Sequence, residues 1–348
     1  MQGSLLEKQE LAVTLAEIAR QVGVHVSLVS RVLRDDSSAK LSPAKRAQIL
    51  AVAKATGYRP NRLGRSLRTG RTSIIGVIAP DITNPFYSVM FRGVEAAAAA
   101  AGYDTILVNT DNSLERVKEV VSMLPEGHVD GVLIATAKAV DESLDWLAKE
   151  RLPYVLINRR RIGTDDPWVG PDDFQTGYLG ASHLLGLGHR RIAFLLLDLE
   201  IGNIRSRLAG IQAALKEYKH DPAECFIKTD LNTRPGGKKY VRELLALPPD
   251  QRPTAFFAPQ TILSDAVVHA IYESGFRVPQ EVSMIGYTAQ QVPDFTSIRV
   301  PLDEIGRRAT GHLIGLLSGD GETIPLPSAP IPVSLIDMGS TAPPPKRG

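Results

Sequence analysis

The sequence contains a single cysteine, Cys225, among its 348 residues. A disulfide within the chain or a cysteine-based zinc site needs at least two thiols, so the sequence excludes both. Uninterrupted apolar runs are also missing, and none approaches the ~20 residues that a membrane helix requires. The first residues are too polar and acidic for a secretory signal. We therefore expect a cytoplasmic protein without a membrane-spanning segment.

Catalytic patterns are missing as well. The seven histidines are scattered along the chain, and no serine, histidine and aspartate stand in a motif of a known nucleophile. Gly186 and Gly188 follow a predicted helix, whereas a dinucleotide-binding loop places its glycines between a strand and the helix that the loop opens. The sequence thus predicts no enzyme, no catalytic residue, no metal ligand and no cofactor.

Positive charge is concentrated at one end of the chain. The first 71 residues contain 13 lysine and arginine residues against five acidic residues, a net charge of +8. The remaining residues contain 27 against 33, a net charge of −6, so the formal charge of +2 for the whole chain hides this division. A basic segment on an acidic body favours a polyanion such as DNA as the partner, with binding that weakens as the salt concentration rises.

Residues 13–33 have the pattern of two short amphipathic helices joined by a glycine. Thr14 and Glu17 form a capping-box signal, because each side chain can bond an amide that the helix start leaves unpaired. Gly23 allows the left-handed backbone that ends a helix in a sharp turn. This spacing is typical of a helix-turn-helix that reads DNA, although a helical hairpin inside a larger core has the same pattern.

The second of these helices has an inward and an outward face. Its inward face carries apolar residues at helical spacing, namely Val24, Leu28, Val29 and Val32. Its outward face carries the candidates for contacts in the major groove, namely Val26, Ser27, Ser30 and Arg31. Valine can pack on a thymine methyl group, hydroxyls can reach phosphates or base edges, and arginine can pair with guanine.

A third helix and an arginine-rich segment follow. Ser42 and Pro43 indicate a helix start and Gly57 a helix end, and arginine then recurs about every third residue up to Arg71. Residues 13–71 resemble the headpiece and hinge of the lactose-repressor (LacI/GalR) family of transcription regulators. The resemblance implies a DNA-binding headpiece over residues 1–60 and a hinge helix or linker over residues 61–71. The DNA contacts that it implies include Thr14, Asn61, Arg62, Arg65 and Leu67, the last as an apolar wedge in the minor groove.

From residue 72 the pattern changes to strands that alternate with helices. Short apolar runs typical of buried parallel strands occupy residues 73–79, 104–108, 130–135, 154–158, 191–197, 254–258 and 282–286. Segments of helical length, such as residues 144–151 and 176–187, separate them. Such alternation indicates parallel sheets with helices on both faces, and the strands are too many for one compact sheet. We therefore predict two α/β subdomains.

The body also resembles the lactose-repressor family over its whole length, and through that family the periplasmic sugar-binding proteins. The resemblance implies an N-terminal all-α helix-turn-helix headpiece plus hinge helix, and an α/β periplasmic-binding-protein-like body of two doubly wound parallel-sheet lobes over residues 72–340. The expected lobe boundaries are about 73–171 and 302–329 for lobe 1 and about 172–301 and 330–340 for lobe 2. Residues 341–348 are expected to form a disordered tail, because their prolines cannot continue a helix.

Loops after the strands are expected to line a cleft between the lobes, since ligands of open α/β sheets bind beyond the carboxyl ends of strands. The effector contacts implied by the resemblance are Phe86, Tyr87, Asp172, Arg207, Gln260 and Thr288. The family usually has acidic and amide residues where this chain has Pro259-Gln260 and Thr288-Ala289. Fewer acidic acceptors beside Arg207, with three arginines at 159–161, predict an anionic metabolite rather than a neutral sugar as the effector.

The function that this resemblance implies is that of a sequence-specific transcriptional regulator, a repressor. It would bind a palindromic double-stranded DNA operator as a homodimer, because two headpieces match two half-sites. A small-molecule effector in the cleft would control it, and the alanine-rich segment 91–101 is a candidate dimer contact. Two alternatives stay open: a regulator whose degenerate cleft answers to a protein partner, and a small-molecule-binding protein that does not bind DNA.

Overall fold

The computed structural model describes residues 13–33, 40–58, 70–124, 127–138, 144–291, 293–318 and 329–345. The chain divides into two units, a headpiece that ends at residue 69 and a body that begins at residue 70. The expected hinge residues Asn61, Arg62, Arg65 and Leu67 lie outside the described residues. Within the described ranges, no helix has both the length and the apolar content that crossing a membrane would need.

The described part of the headpiece is all-helical, with α1 (Leu15–Val22), α2 (Val26–Val32) and α3 (Pro43–Ala55). Thr14 and Glu17 form the capping box at the start of α1, and Gly23 ends this helix with a φ of 69°, in the left-handed region. Ser42 caps α3 directly before Pro43. The predicted signals for helix starts and ends therefore operate as expected.

A small apolar core holds the three helices together. Its buried members are Ile18, Ala19, Val22, Val29, Val32, Ile49 and Ala53. Lys45 adds a polar contact, because its Nζ donates to the carbonyl oxygen of Val22 at 2.6 Å. A cation at the carboxyl end of α1 also interacts favourably with the helix dipole. Both kinds of contact fix α3 against the helix-turn-helix.

The described part of the body alternates strands and helices. In chain order these elements are β1 (Ile74–Ala79), α4 (Pro85–Ala100), β2 (Asp104–Asn109), α5 (Leu114–Met123), β3 (Gly131–Ile134), α6 (Asp145–Lys149), β4 (Tyr154–Ile157), β5 (Trp168–Val169), α7 (Asp173–Gly186), β6 (Ile192–Leu195), α8 (Gly202–Glu217), β7 (Phe226–Lys228), α9 (Arg234–Leu245), β8 (Ala255–Phe257), α10 (Thr261–Glu273), β9 (Ser283–Thr288), β10 (Ser297–Arg299), α11 (Leu302–Ser318) and β11 (Ser334–Ile336).

Two sheets organise these elements into two lobes. The sheet of lobe 1 has the strand order β2-β1-β3-β4-β5 and is parallel throughout. The sheet of lobe 2 has the order β11-β10-β9-β8-β6-β7, with an antiparallel pair only between β10 and β11 among the described strands. Late in the chain, α11 returns to pack on α4 and the strands of lobe 1, while β11 joins lobe 2. The prediction of two parallel-sheet α/β lobes behind a helix-turn-helix is confirmed.

Glycines let two helix pairs approach until their backbones touch. A Cβ atom on Gly93 of α4 would collide with the carbonyl oxygen of Asp303 at the start of α11. A Cβ atom on Gly177 of α7 would likewise collide with the carbonyl oxygen of Arg207 in α8. The second contact fixes the backbone that carries Arg207, the arginine expected in the cleft.

Residues 341–345, which belong to the segment expected to form a disordered tail, pack on lobe 2. The Ser283 hydroxyl accepts from the amide of Ala342 and donates to its carbonyl oxygen, both at 3.0 Å. His189 Nε2 lies 2.9 Å from the same carbonyl oxygen, and His183 Nε2 lies 2.8 Å from the Thr341 hydroxyl. These bonds satisfy the amide and the carbonyl group of Ala342 and attach the segment to lobe 2, although it forms neither helix nor strand.

The buried His189 makes folding stability depend on pH. Burial lowers its pKa from 6.5 to about 4. A histidine whose pKa is lower in the folded state stabilises the protein fully above pH 6.5 and loses that contribution as the pH falls towards 4. We expect the contribution of His189 to the free energy of unfolding to fall by about 1–3 kcal/mol across this range.

Urea unfolding at pH values between 4 and 7 measures this dependence. In His189→Gln the side chain cannot titrate, so the slope over this range should flatten. His269→Gln, which removes an exposed histidine of α10, serves as the control and should keep the slope of the original protein. Equal slopes in the original protein and His189→Gln would contradict the assignment.

Candidate DNA-reading surface and inter-lobe cleft

The outward face of α2 is exposed in the headpiece. Val26 is 38% exposed, Ser27 and Arg31 are exposed, and Ser30 is half-buried. His25 caps the helix, because its Nδ1 accepts from the amide of Ser27 at 3.3 Å and lies 2.8 Å from the Ser27 hydroxyl. The face thus presents an apolar group, hydroxyls and a guanidinium, which is the chemistry of base and phosphate recognition.

Thr14 has a structural role at the start of α1. Its backbone amide donates to the Glu17 carboxylate at 2.8 Å, and its hydroxyl accepts from the Glu17 amide at 3.3 Å. These bonds lower the pKa of Glu17, so the carboxylate stays ionised beside the positive end of the helix. Thr14 therefore orders the headpiece, and its expected DNA contact stays a prediction.

A cavity of about 330 Å³ lies between the two lobes of the body. Residues that follow β1, β3, β4 and β6 line it, as expected for the carboxyl ends of parallel strands. The cavity brings together four of the expected effector contacts, namely Phe86, Tyr87, Arg207 and Gln260. The expected cleft is therefore present in the structure.

Arg207 is only 2% exposed, and residues of this chain already bind its guanidinium group. Its Nε donates to Asp173 at 2.8 Å, its Nη2 donates to the Tyr287 hydroxyl at 2.8 Å, and its Nη1 donates to the carbonyl oxygen of Pro259. Its Cζ also lies 4.3 Å from the centre of the Tyr287 ring. The positive charge of Arg207 is thus balanced inside the protein.

The partners of Arg207 are buried with it. Burial raises the pKa of Asp173 to about 6, while the charge of Arg207 and its hydrogen bond oppose this rise. Burial also raises the pKa of Tyr287, so its hydroxyl stays neutral. At pH 7.5, Arg207 and Asp173 therefore form an ion pair, and the phenol of Tyr287 is neutral.

Several buried polar atoms that face the cavity have no hydrogen-bond partner within the described part of the chain. They are Thr136 Oγ1, Asn158 Oδ1, Asn203 Oδ1, and both Oε1 and Nε2 of Gln260. Each of these side chains is buried. Asn158 also has a φ of 64°, an unusual backbone conformation for a side-chain-bearing residue. Buried polar atoms cost free energy when unpaired, so these atoms are suited to bind a polar ligand.

Two expected effector contacts do not line the cavity. Asp172 is the N-cap of α7 and accepts from the Gln175 amide at 2.9 Å, so the following residue, Asp173, is the one that reaches Arg207. Thr288 lies beyond the lining, whereas Tyr287 is part of it. Consecutive strand residues point to opposite faces of a sheet, which explains why one of this pair is inside and the other is not.

The three arginines at 159–161 have different surroundings. Arg159 lines the cavity and donates to Asn112 at 3.1 Å. Arg160 lies over the ring of Trp168 at 4.7 Å, outside the lining. Arg161 is half-buried in ion pairs with Asp145 and Asp166. One of these three arginines therefore faces the cavity, where the sequence suggested a cluster.

The charges that line the cavity are balanced. Basic groups are Lys138, Arg159 and Arg207, and acidic groups are Asp81, Asp198 and Glu200. Lys138 and Glu200 pair with each other at 2.9 Å. Together with the pairing of Arg207, this balance removes the excess of positive charge on which the expectation of an anionic effector depended.

Comparisons with known proteins agree with both units. Residues 14–61 match the family described as bacterial regulatory proteins, lacI family, and residues 181–341 match the periplasmic binding protein-like domain. The ribose operon repressor of Escherichia coli (strain K12) is 31% identical over 307 residues, which cover 86% of this chain and 92% of the relative.

Two further comparisons span the body. The HTH-type transcriptional regulator DegA of Bacillus subtilis (strain 168) is 29% identical over 338 residues, with 95% of this chain and 98% of the relative covered. A crystal structure of a LacI family transcriptional regulator from Enterococcus faecium with bound ribose has a TM-score of 0.66 and 29% identity. The match covers 78% of this chain and 99% of the chain in that crystal structure.

The buried ion pair predicts that two neighbouring aspartates differ sharply in importance. Asp173→Asn leaves the Arg207 charge buried without an anion, which should lower the free energy of unfolding by about 3–5 kcal/mol at pH 7.5. Asp172→Asn is the matched control, because asparagine caps a helix as well as aspartate and should cost only a few tenths of a kcal/mol. Urea unfolding measures both, and similar losses in the two variants would contradict the buried pair.

Proposed function

This chain belongs to the lacI family of bacterial regulatory proteins, and on that premise we propose that it is a cytoplasmic repressor that binds a palindromic operator as a homodimer. The observation that carries the proposal is the exposed face of α2 on a headpiece whose surrounding segment has a net charge of +8. Val26, Ser27, Ser30 and Arg31 are the proposed base and phosphate contacts. Thr14 and the hinge residues Asn61, Arg62, Arg65 and Leu67 are proposed to complete the contact with DNA.

We propose that a small, uncharged polar molecule is the effector. Support comes from the unpaired buried amide and hydroxyl groups of Thr136, Asn158, Asn203 and Gln260, which together can bind hydroxyl or amide groups. An uncharged ligand fits better than an anion, because the guanidinium of Arg207 is already paired. The same unpaired groups favour a small molecule over a protein partner as the occupant of the cleft. The relatives named after ribose or solved with it are consistent with this class.

The homodimer is proposed to form at the β2 edge of lobe 1. β2 is the outermost strand of its sheet, and its Ile106 and Leu107 are 47% and 44% exposed. Leu107 lies beside Phe91, Arg92 and Glu95 of α4 around a shallow surface depression. An exposed edge strand with apolar side chains is a surface that another chain normally covers. In segment 91–101, Val94 and Ala98 are buried within the protomer, so the polar side of α4 and the neighbouring β2 edge supply the contact.

DNA binding is tested by selecting bound sequences from random duplexes with the full-length protein. On the selected sequence, Arg31→Ala should weaken binding by about 1–3 kcal/mol, because it removes a base contact. Lys54→Ala, which removes an equal charge from the exposed end of α3, is the control and should have a much smaller effect. Fluorescence anisotropy measures both affinities.

Three results of this experiment would count against the proposal. Failure to enrich any sequence would exclude sequence-specific binding. Equal losses of DNA affinity in Arg31→Ala and Lys54→Ala would mean that Arg31 contributes only its positive charge and no base contact. When metabolites are added to the complex with the selected DNA, release or tightening by carboxylate-bearing metabolites but not by uncharged polar ones would reject the proposed class of effector.

The dimer surface gives a separate prediction. Leu107→Glu places a charge on the exposed edge of β2, so it should convert dimers to monomers without loss of folded structure. Operator affinity should then fall at least about tenfold, because two linked headpieces bind far more tightly than one. Tyr272→Glu changes an even more exposed position, on α10 of lobe 2, and should remain dimeric. Sedimentation velocity distinguishes the two states, and a dimeric Leu107→Glu would exclude this surface.

A further inference from the structure

An aromatic contact joins the two lobes beside the cavity. Phe86 belongs to α4 of lobe 1, and Tyr287 belongs to β9 of lobe 2. Their rings are stacked, with centres 5.5 Å apart and planes inclined by 22°. Both side chains are buried, although each comes from the surface of its lobe that faces the cleft. Each ring therefore covers part of the other across the boundary between the lobes.

Lobe 2 fixes the position of the Tyr287 ring. Arg207 of α8 lies over this ring and donates to its hydroxyl, and Asp173 of α7 holds Arg207 in turn. Three elements of lobe 2 thus hold one tyrosine in the orientation in which Phe86 can stack on it. Separating the lobes would expose both rings and bring water to a buried ion pair, so the contact opposes opening.

Two weaker contacts cross the cleft near this stack. Lys138, in the loop after β3, pairs with Glu200, in the loop before α8, at 2.9 Å. Gly202 at the start of α8 lies so close to lobe 1 that a Cβ atom would be 2.9 Å from the carbonyl oxygen of Arg160. Glu200 is exposed and Lys138 is half-buried, and an ion pair so close to solvent contributes little by itself. It nevertheless marks two positions that are near each other only while the lobes are together.

We infer that Phe86, Tyr287 and Arg207 form an inter-lobe latch, by which the chain's own side chains hold the lobes closed. A bound effector would then increase a closed population that already exists, because its proposed contacts come from both lobes. Thr136 and Asn158 belong to lobe 1, and Asn203 and Gln260 belong to lobe 2. This second step rests on the proposed function of the cleft. By linkage, weakening the latch lowers the apparent affinity for the effector in proportion to the lost closed population.

The latch is tested by cross-linking across the cleft in full-length protein. Lys138→Cys and Glu200→Cys are introduced together with Cys225→Ser, which leaves the two new thiols as the reactive pair. A short bismaleimide bridges them only in closed molecules, so the initial rate of cross-linking reports the closed population. Phe86→Ala in this background should slow the reaction about threefold or more, because the two cysteines are close together in a smaller fraction of the molecules.

Control variants separate the latch from a general loss of packing. Phe174 and Tyr178 also stack, with centres 6.3 Å apart, but both lie on α7 within lobe 2. Phe174→Ala should therefore leave the cross-linking rate unchanged. Tyr287→Leu provides a second test of the latch if Phe86→Ala fails to fold, as judged by circular dichroism.

The outcome of this experiment is independent of DNA and effector. Unchanged cross-linking in folded Phe86→Ala or Tyr287→Leu would overturn the latch and leave the proposed repressor function intact. Equal slowing in Phe174→Ala would also overturn it, because that stack lies within one lobe. Slower cross-linking in the latch variants alone supports it, whatever sequence the headpiece recognises.

Discussion

The buried charge of Arg207 is the constraint on which the cleft depends. A guanidinium group cannot leave water without an anion and further acceptors, so three elements must meet around it. Asp173 at the start of α7, the carbonyl oxygen of Pro259 after β8 and the Tyr287 hydroxyl on β9 supply these acceptors. Gly177 lets α7 approach the backbone of α8 closely enough for this to happen. Residues of the chain itself therefore supply the hydrogen-bond acceptors for the Arg207 side chain at the cleft.

Lobe 2 gains order from distant parts of the chain. Its sheet ends in β11, and the following tail bonds to His189 and Ser283 through the backbone of Ala342. Lobe 1 similarly takes α11 from beyond lobe 2. Each lobe is therefore completed only after the chain has crossed between them, which ties the two lobes together through the backbone. The aromatic contact between Phe86 and Tyr287 acts on lobes whose separation is already limited.

The sequence predicted the long buried strands well, because continuous apolar runs such as residues 73–79 have few other interpretations. It did not predict β5, β7 and β10, which have only two or three residues and depend on their neighbours in the sheet. At the cleft, the sequence predicts Asp172 and Thr288 as effector contacts, whereas the structure brings Asp173 to Arg207 and Tyr287 into the cavity lining. The difference is one residue in each case, because a helix cap and the alternation of a strand decide which side chain turns inward.

The prediction of an anionic effector depends on the absence of acidic residues near Arg207. Acidic residues are missing at Gln260 and Thr288, and Arg207 therefore seemed to lack a partner. A third position, Asp173, supplies that partner from a different element, and no spacing in the sequence indicates that α7 and α8 bring the two side chains together. Once Arg207 is paired, Gln260 is more important for its amide group than for the charge that it lacks. Its donor and acceptor are buried and unpaired in the cavity lining, and they are part of the support for the proposed uncharged effector.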